Sequence, residues 1–517
     1  MKEENQKDLI IIGAGINGLS AGLAYVLNND MSQKKVLIVE KNHISGGYVT
    51  SYSRKGFDFD TCQMSSNVSD ILDYFGIELE WKEFKCDFIK IFKAVQGQDS
   101  VKTIALCSGK DDFEKQLIQM YPKDAVSLRK FFDYSSAMFY ELYHLKYAPK
   151  FADMLKMLFQ CPKVIKNAPV DFAKYYKKFN IKDPEINLIF QVFSSFCGLP
   201  NNRIAALLTV GVMYSLLEKA YRPGGLFIEL PQKMEQRYLE LGGELRLKTE
   251  VAKIIVEKGQ AKGICLKDGT AYYSDNILST IDVKKTIGSL VGADIINQLD
   301  SHYAARIENV EMSTSAFAVN LGLDDELPEL PQFRCGYALL TSGNDAFMKN
   351  FSAFENNEFV LSESCFHLGL SCPPVIKGRK PVLSIQAIPS PMMDWKTLRD
   401  TDRDGYLREK NRTAEIIIGI VEKYLIPNLK KHIAVLDIST PATYARYSGS
   451  ASGSIYDMAS VPENFGRNRV PVNTPVSGLL LPKFAHGVFG AMNSGLQAID
   501  ILMDGKIMHG NSRFGQN

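Results

Sequence analysis

The segment Gly13-Ala14-Gly15-Ile16-Asn17-Gly18 has the residue types and the spacing of a turn that binds the phosphates of a dinucleotide. In such a turn the first glycine permits a tight reversal, the second lets the backbone approach a pyrophosphate, and the third allows close helix packing. Backbone amides at the start of the following helix would then face the phosphates. We therefore expect cofactor contacts from Gly13, Ala14, Gly15, Asn17 and Gly18.

Glu40 supplies the carboxylate that this kind of site needs. It follows a second aliphatic run, residues 36–39, and there it can accept hydrogen bonds from the ribose hydroxyls of an adenosine. Lys41 comes next and is expected in the same site. A glycine turn without a ligand is the alternative interpretation, but strand, turn, helix, strand and acid follow here in the order that favours binding.

The elements around this turn predict an α/β unit. Residues 9–12 and 36–39 are continuous aliphatic runs, which is the pattern of strands buried on both faces of a parallel sheet. Between them, Leu19, Leu23 and Val26 recur on one face of a helix. The sequence thus begins like a Rossmann-like domain.

The composition is that of a large folded protein without an overall electrostatic preference. Its 517 residues, 45% of them hydrophobic, exceed the size of one compact domain. Sixty basic residues against 58 acidic ones leave a net charge of +2, so we expect no nucleic-acid partner. Residues 1–8 are charged and lack an apolar core, which argues against a secretory signal and predicts a cytoplasmic protein.

Cysteine usage argues against a disulfide-linked or zinc-binding protein, and apolar patterning argues against a membrane-spanning one. The nine cysteines are scattered without a CxxC pair or zinc-ligand spacing, so we expect reduced thiols and no metal site. The longest uncharged stretches, residues 186–202 and 204–217, contain polar residues and a Leu-Pro-Asn-Asn break. Buried helices are therefore expected there rather than membrane spans.

Motifs beyond the turn resemble one enzyme superfamily. After Glu40 come Gly46-Gly47-Tyr48 and residues 54–60, and later Arg222-Pro223-Gly224-Gly225-Leu226. This arrangement resembles the FAD-dependent amine-oxidoreductase superfamily and, within it, the branch of phytoene desaturases, carotenoid isomerases and retinol saturases. The resemblance implies that FAD is the cofactor and that Gly46, Gly47 and Tyr48 contact its ADP part and pyrophosphate.

The returning and closing segments extend the resemblance over most of the chain. It implies that the backbone at Val251 contacts adenine and that Thr280 lies near the pyrophosphate. Residues 486–495 resemble the closing segment, in which a helix N-terminus faces the isoalloxazine. The residues expected at the flavin are Gly487, Val488, Gly490 and Ala491.

Two departures from the family pattern concern the cofactor. The glycine doublet is usually followed by arginine, whereas Tyr48 has no fixed positive charge for a phosphate. The closing strand of the family usually runs into a glycine and often an acid that holds the ribitol, whereas Leu481 is followed here by Pro482 and Lys483. The ribitol contact therefore lacks its usual residue.

The fold expected from this resemblance is α/β, with a Rossmann-like FAD-binding domain built from discontinuous segments plus an α+β substrate domain. We assign residues 1–90, 221–294 and 436–517 to the FAD-binding domain, and residues 91–220 and 295–435 to the substrate domain. The first substrate segment is helical and apolar, so part of it is expected to line a tunnel for an apolar substrate. Plain core packing is the alternative for its apolar stripes.

Residues 146–182 form a basic region within that segment. They carry nine lysines against two aspartates, a local charge of +7, interleaved with aromatic residues. Lysines with aromatics suit the surface of an anionic membrane, whereas a solvated helical face explains most charge runs. Peripheral docking on the inner face of a membrane is thus one hypothesis for this region, and a solvated surface is the other.

The sequence as a whole predicts an FAD-dependent oxidoreductase that acts on C–C or C=C bonds of an apolar polyene or isoprenoid lipid, similar to carotenoids or retinoids. Desaturation, saturation and isomerisation all occur in the family, and the sequence does not choose between them. His486 is the one catalytic candidate, and a packing role is its alternative. A flavin amine oxidase and a non-catalytic flavin- or lipid-binding protein are the other functions left open.

Overall fold

The computed structural model describes residues 5–142, 144–145, 151–392, 394–450, 452–464, 469–483 and 487–507, with only the backbone for residues 151–154. Within them the helices are α1 (Ile16–Leu27), α2 (Ser69–Phe75), α3 (Lys110–Met120), α4 (Ala125–Leu142), α5 (Phe151–Gln160), α6 (Pro162–Asn167), α7 (Phe172–Lys177), α8 (Pro184–Ser195), α9 (Ala206–Glu218), α10 (Glu229–Glu240), α11 (Ala293–Leu299), α12 (Ser301–Asn309), α13 (Ala346–Glu355), α14 (Trp395–Thr401), α15 (Arg403–Tyr424), α16 (Pro441–Ser448) and α17 (Gly487–Leu502). A π-helical segment spans Lys285–Gly292, and short 3-10 turns span Pro122–Asp124, Leu330–Phe333, Leu429–His432 and Pro462–Asn464.

The strands are short and are spread along the chain. They are β1 (Leu9–Ile12), β2 (Val36–Val39), β3 (Ser51–Arg54), β4 (Phe57–Asp60), β5 (Ser65–Ser66), β6 (Trp81–Glu83), β7 (Ile89–Ala94), β8 (Val101–Leu106), β9 (Ala220–Pro223), β10 (Glu244–Arg246), β11 (Val251–Glu257), β12 (Gln260–Leu266), β13 (Ala271–Tyr273), β14 (Ile277–Ser279), β15 (Phe317–Leu323), β16 (Tyr337–Thr341), β17 (His367–Ser371), β18 (Val382–Ala387), β19 (Ile433–Ser439) and β20 (Leu479–Leu480).

A five-stranded parallel sheet, with the order β10-β2-β1-β14-β20, forms the Rossmann-like half of the fold. β1 and β2 are buried along their whole length, as their aliphatic runs predict. The sheet joins strands from both ends of the chain, so one unit is assembled from discontinuous segments. Parallel strands bring their carboxyl ends to one edge, which is where dinucleotides bind in sheets of this kind.

The first and last helices pack against each other beside this sheet. A β-carbon at Gly495 of α17 would lie 2.3 Å from the Asn17 carbonyl oxygen, so the approach requires glycine. The Ser20 hydroxyl of α1 donates to the Met492 carbonyl at 2.6 Å. The C-terminal helix is thereby held next to the helix that follows the glycine turn.

A seven-stranded sheet, with the order β19-β15-β18-β17-β16-β7-β8, forms the second half. Its neighbouring strands pair antiparallel except β16 and β7, which pair parallel. Helices α3, α4 and α6–α9 build an apolar layer with its own core against one end of this sheet. The predicted fold class is confirmed, whereas the domain boundaries stay predictions; β19 continues to Ser439, past the predicted boundary at residue 435.

Three further properties concern the chain as a whole. All nine cysteines lie in the described part and none forms a disulfide. No described helix is long and apolar enough to cross a membrane. Within the same ranges, no group of His, Cys, Asp and Glu side chains is arranged to hold a metal ion.

His367, at the start of β17, is buried without a hydrogen-bond partner. It is 3% exposed, and neither ring nitrogen has a partner among the described residues. Its ring packs edge-on against Phe347, with centroids 4.8 Å apart. Burial lowers the pKa of His367 to about 3, so the folded protein keeps this imidazole neutral in weak acid.

The His367 pKa predicts a loss of stability on acidification. The unfolded chain protonates this imidazole near its ordinary pKa of about 6.5, whereas the folded protein does not. The stability is therefore complete above that pH and falls below it. We expect the free energy of unfolding to drop by about 1.4 kcal/mol from this residue between about pH 7.5 and pH 5.5, measured by denaturant titration.

His367→Phe should lack that part of the pH dependence. His302→Asn, at an exposed histidine of α12, is the matched control and should keep the wild-type dependence. If His367→Phe loses as much stability on acidification as the wild type, the buried imidazole is not the source.

Candidate functional site

The glycine turn between β1 and α1 is tight on one side and open on the other. Gly13 has a φ of +100°, which other residues rarely adopt. A β-carbon at Gly18 would lie 2.0 Å from the Gly13 carbonyl oxygen, so α1 can approach the turn only with glycine there. At Gly15 the nearest atom to a β-carbon would be Gly47 Cα at 3.9 Å, which leaves space for a ligand above the turn.

The Gly46-Gly47 doublet and Thr280, which follows β14, both contact this turn. The Gly46 N–H donates to the Ala14 carbonyl at 2.8 Å, and Gly47 has a φ of +61°. The Thr280 hydroxyl donates to the Ile12 carbonyl at 2.9 Å. Three distant segments therefore meet at the carboxyl ends of β1 and β14.

Glu40 is buried and is aimed at the turn. One of its carboxylate oxygens accepts the Ala14 N–H at 3.0 Å, and the other accepts the Asn42 N–H at 2.9 Å. An ionised carboxylate has about four acceptor sites, so this one can still accept from ribose hydroxyls. The backbone thus orients the acid without using its full capacity.

Lys41 and Tyr48 donate hydrogen bonds to α16 and to the loop that follows it. The Lys41 ammonium donates to the Arg446 carbonyl at 2.8 Å, and burial, followed by repulsion from Lys285, lowers its pKa. The Tyr48 hydroxyl donates to the Ser454 carbonyl at 2.9 Å, and burial raises its pKa. A neutral tyrosine with this partner supplies no positive charge to a phosphate.

Asn17 carries a buried polar atom without a partner. Its side-chain N–H donates to the Pro482 carbonyl at 2.8 Å, while its Oδ1 is buried and has no hydrogen-bond partner in the described part of the chain. Leaving a buried acceptor unpaired costs roughly 1–3 kcal/mol. Asn17 itself lines the cavity beside the glycine turn.

The remaining predicted residues lie around the same space. Val251 of β11 lines the cavity, as do the residues at the start of α17: Gly487, Val488, Gly490 and Ala491. Ala14 and Gly18 do not line it, because they face the doublet loop and the turn. His486 lies outside the described residues. Contact between the predicted set and a cofactor stays a prediction.

One cavity of about 2790 Å³ connects the glycine turn with the helical layer. Ligand pockets usually measure about 300–1,000 Å³, so this one has room for a dinucleotide and a long second molecule. Its far end is aliphatic and lies between α4, α6 and α9, with walls formed by Leu142, Val164, Ile165, Leu207, Leu208, Val212 and Leu216. Of the aromatic candidates, Phe196 lines the cavity, whereas Phe190 and Phe193 are buried in the core.

The sheet side of the cavity carries a polar network that sequence reasoning missed. The Tyr52 hydroxyl donates to Asp437 at 2.9 Å and accepts from the Asn320 amide at 2.9 Å. Arg54 lies 3.1 Å from the other Asp437 oxygen. Burial, and then the charge of Asp437, raise the pKa of Tyr52. These residues come from β3, β15 and β19, so no local sequence signal joins them.

Two tyrosine rings meet at the cavity wall. The centroids of Tyr48 and Tyr444 are 6.4 Å apart, and their planes are inclined by 47°. Aromatic rings with centroids about 4.5–7 Å apart are in contact, so no gap for a substrate lies between these two.

A buried ion pair fixes the Arg-Pro-Gly-Gly segment against the hairpin of β3 and β4. Arg222 donates to one Asp60 oxygen at 2.8 Å, and both side chains are at most 6% exposed. The other oxygen accepts the Phe227 N–H at 3.0 Å and the Ser51 hydroxyl. Asp60 therefore has a structural role at the cavity edge.

Comparison with known proteins covers nearly the whole chain. Residues 11–70 match a family described as an NAD(P)-binding Rossmann-like domain. The chain is 24% identical to a chloroplastic prolycopene isomerase of Daucus carota, over 87% of this chain and 72% of that protein. It is 22% identical to a lycopene-forming phytoene desaturase of Pseudescherichia vulneris, over 87% and 89% of the two chains. It is 23% identical to an inactive all-trans-retinol 13,14-reductase of Danio rerio, over 96% and 86%.

A solved structure of a putrescine oxidase variant shares the fold, with a TM-score of 0.63 and 13% identity over 96% of this chain and 99% of that one. At this identity the likeness shows the fold alone. The resemblance to the FAD-dependent amine-oxidoreductase superfamily is confirmed, and the prediction of an oxidoreductase is confirmed without the identity of its cofactor. These relatives belong to a family of flavin- or NAD(P)-binding oxidoreductases.

The Asp60–Arg222 pair predicts a large difference between two neighbouring acids. Asp60→Asn leaves Arg222 buried without its counter-charge, and we expect the free energy of unfolding to fall by about 3–5 kcal/mol in denaturant titration. Asp58→Asn is the control from the same strand. Asp58 is partly exposed and lies 3.4 Å from Arg379, so its loss should cost less than about 1 kcal/mol. Equal losses in the two variants would contradict this role for Asp60.

Proposed function

We propose that the protein binds FAD and acts on C–C or C=C bonds of an apolar polyene or isoprenoid lipid. The observation that carries the proposal is the cavity, which runs without interruption from the glycine turn to an aliphatic channel. A dinucleotide at the turn and a long apolar molecule in the channel would meet in one space. Similarity to a prolycopene isomerase and a phytoene desaturase supports a polyene as the substrate.

The dinucleotide end of the cavity fits FAD. The space above Gly15 admits a pyrophosphate beside the amides at the start of α1. Glu40 lines the same space and keeps acceptor sites for a ribose. When bound, FAD would supply the redox chemistry, by accepting or donating a hydride.

The chain itself would exclude water and align the substrate. An apolar molecule gains roughly 25 cal/mol for each Å² removed from water, so an aliphatic channel can hold a long polyene without a charged anchor. The direction of hydride transfer separates a desaturase from a saturase, and an isomerase has no net transfer. The proposal covers all three, since the same arrangement serves each.

Two other functions compete with this one. An amine oxidase would share the fold of the putrescine oxidase, but the contact between Tyr48 and Tyr444 leaves no aromatic cleft for an amine between these rings. A non-catalytic protein is favoured by the missing ribitol acid and by the similarity to an inactive retinol reductase.

Spectroscopy separates these functions. Purified protein, after incubation with FAD if needed, should show the visible absorption bands of bound flavin. Under anaerobic conditions phytoene should bleach them if the protein is a desaturase, and a polyene should reoxidise the photoreduced flavin if it is a saturase. An isomerase should shift the absorption of a cis-polyene while the flavin stays reduced, whereas putrescine should do none of these. Protein without flavin bands would be non-catalytic, and bleaching by putrescine alone would indicate an amine oxidase.

A larger side chain on α9 tests the channel, because it would occupy part of the space proposed for the substrate. A β-carbon at Gly211 would lie 3.6 Å from Leu142 Cδ1, which is an ordinary van der Waals distance. The β-carbon of Gly211→Leu therefore fits, and the rest of the leucine side chain would occupy the channel. We expect the flavin spectrum to stay unchanged and reaction with the polyene to slow by about tenfold or more. Gly419→Leu, where a β-carbon meets nothing within 4 Å on α15, is the control and should react at the wild-type rate. Equal rates in the two variants would exclude this channel as the substrate site.

We also propose that α5 and α6 dock on an anionic membrane surface. Exposed apolar side chains cluster there: Leu155, Leu158, Phe159 and Ile165. Phe159 is 86% exposed, and Ile165 also lines the cavity, so the surface adjoins the channel. Lys156 and Lys166 are exposed beside them, and each basic residue near anionic headgroups contributes about 1 kcal/mol.

The structure narrows the docking surface within residues 146–182. Phe172 and Tyr175 are fully buried in the helical core, so they cannot reach a bilayer. Residues 146–150 lie outside the described part of the chain. The proposed surface is therefore the exposed side of residues 155–166.

Vesicle co-sedimentation tests this surface. The double substitution Leu158→Ser and Phe159→Ser should weaken binding to vesicles of phosphatidylcholine and phosphatidylglycerol by at least about tenfold, because it removes apolar area that the bilayer would bury. Val375→Ser, at a side chain that is 71% exposed in another part of the fold, should bind as the wild type does. Unchanged binding of the double variant would rule out docking through α5.

A further inference from the structure

One face of the seven-stranded sheet forms a wall of the cavity. Successive residues of a strand point to opposite faces of the sheet. Phe317, Val319 and Ile385 pack into the core on one face. The alternate residues line the cavity on the other face: Ala316, Ala318, Asn320, Gln386, Asp437 and Ser439. This wall is made of short or polar side chains, in contrast with the aliphatic channel between the helices.

The hairpin of β3 and β4 covers part of that face. A β-carbon at Gly322 would lie 2.5 Å from the Phe57 ring, so the hairpin rests directly on β15 at this point. Two residues earlier, Asn320 donates to the Tyr52 hydroxyl at 2.9 Å. The hairpin therefore covers the face as far as Asn320, and the next row of residues faces the cavity.

That row consists of Gln386, Ala318 and Ser439. Ala318 is directly opposite Gln386 on one side and Ser439 on the other, so their Cα atoms are about 10 Å apart. Both polar side chains are partly exposed, and neither has a hydrogen-bond partner within the described ranges. They are not among the enclosed polar atoms of the structure, so a ligand in the cavity can reach them over the small alanine.

The charge next to this row is already compensated. Asp437, which is opposite Asn320, accepts the Tyr52 hydroxyl at 2.9 Å and lies 3.1 Å from Arg54. An ammonium group would have to compete with Arg54, and a carboxylate would meet the negative charge of Asp437. An amide and a hydroxyl each donate and accept, so the row suits an uncharged hydroxyl or carbonyl.

Helix α16 separates this row from the glycine doublet. Thr440, the residue after Ser439, caps α16, and the Tyr447 hydroxyl near its other end donates to the Gly47 carbonyl at 3.3 Å. A helix of eight residues is about 12 Å long. The polar row thus lies one short helix from the proposed dinucleotide, whereas the walls of the aliphatic channel come from α4, α6 and α9.

We propose that Gln386 and Ser439 bind an uncharged, oxygen-bearing end group of the isoprenoid substrate, either a hydroxyl or a carbonyl. The inference rests on the proposed function, since it takes the channel as the place of the apolar part. It narrows the substrate from polyenes in general to oxygenated ones. It also gives the substrate a direction, with the oxygen at the sheet and the hydrocarbon chain in the helical layer.

The test compares two polyenes that differ in one oxygen atom, all-trans-retinol and its deoxy analogue, by the fluorescence of the bound polyene. The measured quantity is the ratio of their dissociation constants, because the deoxy analogue is more apolar by itself. Gln386→Leu should shift this ratio against the alcohol by about threefold to tenfold, because one hydrogen bond to the ligand is lost.

Two further variants complete the comparison. Ser439→Ala removes only a hydroxyl and should shift the ratio in the same direction, so the test does not depend on the folding of Gln386→Leu. Gln232→Leu, at an exposed glutamine of α10, is the matched control and should keep the wild-type ratio.

The outcomes separate this inference from the proposed function. If the wild type binds neither polyene, both are wrong. If it binds both and the ratio is the same in Gln386→Leu and Ser439→Ala as in the wild type, only the assignment of the oxygen-binding row is wrong. The assignment is also wrong if these variants weaken the binding of the two polyenes by the same factor, because the side chains then act on the shape of the cavity.

Discussion

The close contact between the glycine turn and α1 is the constraint on which the Rossmann-like half depends. A β-carbon at position 18 would lie 2.0 Å from the Gly13 carbonyl oxygen, so only glycine lets α1 start this close to the turn. Glycine at position 495 lets α17 pack against the same helix. With both contacts made, the carboxyl ends of β1, β14 and β20 gather at one edge of the sheet. Every predicted cofactor residue that lines the cavity does so around this edge.

The two halves of the fold contribute chemically different walls to one space. The Rossmann-like half offers glycines, backbone amides and a few oriented carboxylates, which suit a charged and hydroxylated ligand. The helical layer offers aliphatic side chains, which suit a ligand without polar groups. Tyr52 of the β3–β4 hairpin contacts the seven-stranded sheet through Asp437 and Asn320. Asp60 of the same hairpin pairs with Arg222 of β9.

Charge acts locally in this protein. The net charge of +2 hides a basic helical region and, elsewhere in the fold, a half-buried ion pair between Lys483 and Asp457. In the basic region, packing sorts the aromatic residues into a buried set and an exposed set, and only the exposed set has access to a surface. The Lys483 ammonium, which follows β20, pairs with the Asp457 carboxylate from the loop after α16.

The discontinuous arrangement of the α/β fold was expected from the family resemblance. By itself the sequence determined the glycine turn, the acid after the second strand and the aliphatic character of the middle segment. These features follow from residue type at short range, because a left-handed φ, a close helix approach and a buried strand each restrict the residues that fit. Only the tertiary structure decided that Asp457 meets Lys483, that Tyr52 joins Asp437 and Asn320, and that one cavity unites both walls. These contacts link residues far apart along the chain, and burial depends on the whole packing, so no local pattern records them.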